Sequence, residues 1–77
     1  MKTQEEIQSD LVAILESHGD VKGYIASLID PLPYTTPEEK ASKNRKAAAA
    51  IMAYGSFERG LFNVDMLAEI LHRTINP

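Results

Sequence analysis

Apolar side chains return every three or four positions along almost the whole chain, and nowhere do they alternate with a period of two. A period near 3.6 places them on one side of a helix, so the pattern predicts helices and no sheet. The first helix opens at Thr3-Gln4-Glu5-Glu6, where Thr3 can accept from the amide of Glu6 while the Glu6 carboxylate returns to the amide of Thr3. Ile7, Leu11, Ile14, Leu15 and His18 share its apolar face, and Gly19 supplies a left-handed stop. Asp20 caps a second helix carrying Val21, Tyr24, Ile25, Leu28 and Ile29 on one side. Pro31 is expected to end it by pushing Asp30 out of the helical region, and Pro31 to Thr35 then form a stiff extended connector.

A third helix starts at Thr36-Pro37-Glu38-Glu39, with a capping hydroxyl, a proline at the first helical position and acids in the first turn. It is expected to reach at least Ala53. A fourth begins near Asn63, with Asp65 in its first turn, Leu67, Ile70 and Leu71 as its buried stripe, and Pro77 closing the chain. The expected architecture is an all-α, single four-helix domain over residues 1–77: two short helices, a proline-rich connector, a long alanine-rich helix and a C-terminal helix.

The orientation of the third helix is less determined. On a wheel of 100° per residue, Ala41, Asn44, Ala48, Ile51, Met52 and Gly55 gather on one side. Size and hydropathy assign that side to the core. Ser42, Lys46, Ala49, Ala50 and Ala53 lie opposite, so the run Ala47 to Ala50 gives small residues to both faces. If the helix continues through Gly55, then Ala50, Tyr54, Phe57 and Leu61 form a second stripe, and an exposed aromatic stripe marks a contact surface. If it breaks at Gly55, Phe57 and Leu61 fold back into the core. Both Gly55 and Gly60 are plausible stops.

At 77 residues the chain has one modest core, and without cysteine neither a disulfide nor a thiolate metal site can reinforce it. Association is the remaining route to extra stability, which favours a homo-oligomer. The N-terminus turns acidic where a secretory signal would be apolar, and no apolar run reaches the roughly 20 residues needed to span a bilayer. A cytoplasmic protein without membrane contact is the expectation.

The net charge of −3 is unevenly placed. Residues 1–36 carry two lysines against six acids, whereas residues 37–46 carry four bases against two acids. The four bases are Lys40, Lys43, Arg45 and Lys46, and they spread over more than half the helix circumference. Their position near a helix N-terminus opposes the macrodipole, which calls for a compensating anion or the acidic first segment. Phosphate recognition by these four residues, on a nucleic acid or a nucleotide, is the second functional expectation. A helix-turn-helix pivoting on Gly55 fits poorly, because Gly60 would interrupt the recognition helix and Arg59 would be its sole cation.

Signs of catalysis are sparse. Glu69 and His72 have the Glu-x-x-His spacing of carboxylate-bridged metal bundles, but they lie away from the apolar stripe and have no second copy. No nucleophile–base set or glycine-rich phosphate loop is present, so neither an enzyme nor a cofactor is expected. Length, acidity and four helices resemble acyl carrier proteins, which need Asp-Ser-Leu at a helix start. The nearest string is Ala26-Ser27-Leu28-Ile29-Asp30, with the acid after the serine, so the resemblance fails at its functional residue. The first functional expectation is a non-enzymatic, stoichiometric protein-interaction module of bacterial or phage type. It would be a small regulator, adaptor or inhibitor acting as a homo-oligomer through Ala50, Tyr54, Phe57 and Leu61.

Overall fold

A computed structural model describes residues 2–76, and Met1 and Pro77 lie outside the description. The chain is all-α: α1 spans Gln4–Glu16, α2 Val21–Ile29, α3 Pro37–Glu58 and α4 Val64–Ile75, with no strand among the described residues. Each helix begins where a short polar side chain can satisfy an amide of its first turn. Thr3 accepts from the amide of Glu6 at 3.2 Å while Glu6 accepts from the amide of Thr3 at 3.1 Å, completing the capping box. Asp20, Thr36 and Asn63 accept from the amides of Gly23, Glu39 and Met66 in the same way.

Two helix ends differ from the expectation. α1 stops in a Schellman arrangement whose left-handed residue is His18, at φ 54°, rather than Gly19. The amide of His18 donates to Leu15 and that of Gly19 to Ile14. The imidazole is therefore an exposed terminator and not part of the apolar face. α2 does end before Pro31, yet Asp30 keeps helical angles of −53° and −40°. A turn through Pro31 follows, closed by the amide of Leu32 donating to the carbonyl of Ile29 at 3.0 Å.

α4 is the centre of the bundle, packing along α1 and α3 and touching α2. Its Leu67, Ala68, Leu71 and Ile75 are buried, and they meet Ile7 and Leu11 of α1 and Val21, Ile25 and Ile29 of α2. At about 25 cal/mol per Å² of apolar surface, each such aliphatic side chain contributes about 1.5–3 kcal/mol when buried. Gln8 donates to Asp65, tying α1 to the first turn of α4. The Asp10 carboxylate takes Lys2 Nζ at 2.6 Å and the Tyr24 hydroxyl at 2.7 Å, which fastens α1 to α2. These two donors hold the Asp10 pKa below the usual carboxylate value, Lys2 contributing most. Burial, followed by the adjacent Asp10, pushes the Tyr24 phenol up.

The third helix is turned over relative to the expectation. Its buried residues are Ala50 and Ala53, with Ala47, Tyr54 and Phe57 packed partly against the core. Ile51 and Met52, the two largest aliphatic residues of the helix, are 41% and 72% exposed. The cause is volume. α1, α2 and α4 already fill the interior with leucine and isoleucine, so α3 can approach them closely only on its alanine side.

Candidate protein-interaction surface

α3 does not break at Gly55. It runs to Glu58 and ends where Gly60, at φ 78°, takes the left-handed position of a second Schellman arrangement. The amides of Gly60 and Leu61 donate there to the carbonyls of Phe57 and Ser56. A turn at Gly55 is thus absent, and with it the basis for a helix-turn-helix.

Continuation of the helix does not make the Ala50, Tyr54, Phe57 and Leu61 stripe a surface. Ala50 is fully buried in the core. Tyr54 and Phe57 are half-buried, with rings stacked 6.3 Å apart at 23°. Leu61, 67% exposed, lies beyond the helix in the link to α4. The stripe follows the inward side of α3 for most of its length, because 50, 54 and 57 lie on the same side of the wheel as Ala47 and Ala53. The face left open is instead the one first assigned to the core. Ala41, Asn44, Ala48, Ile51 and Met52 are all exposed along it. Patterning missed this because a run of alanines scores as weakly apolar on every side.

The basic cluster divides. Lys40 Nζ lies 5.8 Å and Lys43 Nζ 5.3 Å from the centre of the Tyr34 ring, and Lys46 borders Leu32 and Pro33 of the connector. These three lysines face the connector together, while Arg45 points elsewhere and is exposed. Lys43 also donates to the carbonyl of Asp30 at 2.7 Å, at the C-terminal end of α2. A cation is favoured there by the helix dipole. Within the chain, the cations in the first half of α3 are therefore compensated by the α2 terminus and the Tyr34 ring rather than by the first segment.

Glu69 pairs with Arg73 at 2.7 Å, one turn along the same helix. Among the described residues, no three His, Asp or Glu side chains are gathered closely enough to hold a metal ion. Among the described residues, no helix is long and apolar enough to cross a membrane. The outer face of α3 runs along a helix of 22 residues, about 33 Å at 1.5 Å per residue, in a molecule 38 Å in its longest dimension. Comparison of the chain with protein-family models, curated proteins and solved structures returns no match.

Proposed function

We propose that this domain is a non-enzymatic binding module that engages another protein stoichiometrically, as a small regulator, adaptor or inhibitor, through the outer face of α3. One observation carries the reading. A 22-residue helix buries its alanines and turns Ile51 and Met52 outward, with nothing of its own chain over them. Large apolar side chains grouped on an exposed helix face are the usual mark of a contact surface.

Nucleic acid or nucleotide recognition by Lys40, Lys43, Arg45 and Lys46 has less support. Lys43 already serves the α2 terminus, and Arg45 lies away from the lysines. Capture from an extract of the source cell tests the reading. The unmodified chain is expected to retain a protein at fixed stoichiometry, whether or not nucleic acid has been digested. Met52→Lys, folded by circular dichroism, is expected to lose it. Retention that survives Met52→Lys but disappears on nuclease treatment would replace the protein-binding reading with the nucleic-acid one.

A further inference from the structure

We propose that the outer face of α3 is covered by a second copy of this chain, with the two α3 helices antiparallel and crossing at Ala48. The proposal rests on the protein-binding reading and names the partner. Its first support is the distribution of charge along the face. On the helical wheel, the flank carrying Ile51 also carries Lys40 and Glu58, and the flank carrying Met52 also carries Glu38 and Arg59. Among the described residues none of these four charged groups forms an ion pair.

A two-fold axis perpendicular to both helices keeps each flank facing the same flank of the second copy. With the axis at Ala48, Glu58 of the other chain lies two residues, about 3 Å, beyond the level of Lys40, and Arg59 one residue beyond the level of Glu38, both within reach of long side chains. Symmetry repeats both pairs. A parallel arrangement would instead set the Ile51 flank against the Met52 flank, with Lys40 near Glu38 and Glu58 near Arg59 of the second copy, and would take Leu61 away from the connector. Exchanging the charges at positions 38 and 59 separates the two arrangements.

The second support is Gly55. It lies inside α3 with no positive φ, where glycine weakens a helix relative to alanine, and a methyl group added there would meet nothing within 4 Å. Neither the backbone nor the packing of a single copy requires it. In the antiparallel pair Gly55 lies opposite Ala41 and Ala48 opposite itself, so the outermost line of the helix is small wherever two backbones approach. Ile51 then packs beside Asn44 of the second copy, and Met52 along the aliphatic stem of its Arg45. Exposed Leu61 comes level with the exposed connector at Tyr34 to Thr36. The seam follows the full length of α3, about 33 Å at 1.5 Å per residue. A standard interface of about 800 Å² per partner would occupy about a sixth of the 4932 Å² surface.

Sedimentation equilibrium on the full chain tests this, with folding of each variant verified by circular dichroism. The unmodified chain is expected to be dimeric at high micromolar concentration. Glu38→Arg and Arg59→Glu should each raise the dissociation constant about tenfold, and together in one chain they should return it to within about threefold of the original. Positions 38 and 59 are about 31 Å apart along one helix, so rescue can only pass between copies. Gly55→Ala should raise the thermal midpoint at concentrations where the chain is monomeric and yet weaken the dimer. A monomer at high micromolar concentration would overturn the proposal while leaving the protein-binding reading to the capture experiment. A dimer lost in Met52→Lys but showing no charge rescue would overturn the antiparallel seam alone. A dimer indifferent to Met52→Lys would overturn both.

Discussion

Leu11→Ala should remove a large share of this domain's folding stability. Leu11 has no exposed surface and lies at the junction of α1 with the central helix α4. Truncating a leucine at such a position removes its transfer energy and leaves a cavity, together about 2–5 kcal/mol. Total stability for a domain of this length is about 4–12 kcal/mol, so a single truncation takes a large share of it. The neighbouring residue gives the control. Val12 is 37% exposed, and Val12→Ala should shift stability by no more than about 1 kcal/mol. Urea titration followed by circular dichroism compares the two. Equal midpoints would show that α1 does not bury the face on which Leu11 lies.

The second large effect concerns the side of α3 that touches the core. Ala50→Leu adds three carbons where α3 meets the bundle with no exposed surface, and overpacking of that kind is expected to cost about 3 kcal/mol. Ala48→Leu makes the same change two residues earlier on the open face. At dilutions where the chain is monomeric it should alter stability by less than about 0.5 kcal/mol. Denaturant titration of the two variants reads the orientation of the helix directly. The opposite order of stabilities would mean that Ile51 and Met52, and not the alanines, face inward.

That inversion marks where the sequence stops being legible. For α1, α2 and α4 the apolar residues are large and regularly spaced. Ile7, Leu11, Val21, Ile25, Ile29, Leu67 and Leu71 are therefore both the expected and the observed core. The starts were legible too, because Thr3, Asp20, Thr36 and Asn63 are capping side chains whose chemistry is local. α3 lacks such a signal, since alanine pattern alone cannot distinguish a close-packed side from a bare one. Which side is inward depends on how much volume the other three helices have already filled, and that is a tertiary quantity. The same holds for its end. Gly55 and Gly60 are equivalent as letters, but only Gly60 takes a positive φ. Tyr54 and Phe57 then lie partly in the core, while the open face falls on residues whose size had suggested burial.

The basic segment shows a related gap. Opposing the α3 dipole did call for compensation, but the group that supplies much of it is the backbone carbonyl of Asp30, which no side-chain motif reveals. Lys40 and Lys43 meet Tyr34 because the connector returns alongside α3, another consequence of packing.

The central claim is that α3 presents its outer face to a second α3 running the other way. Because the chain has no cysteine, a single introduced thiol reports on it directly. Disulfide formation needs Cα atoms about 4.4–6.8 Å apart. With a two-fold axis at Ala48, Ala48→Cys should give a covalent dimer rapidly under mild oxidation. Ala41→Cys, on the same face but about 21 Å from its symmetry mate, should remain monomeric over the same time. Equal rates for the two variants, or no covalent dimer from Ala48→Cys, would contradict the account.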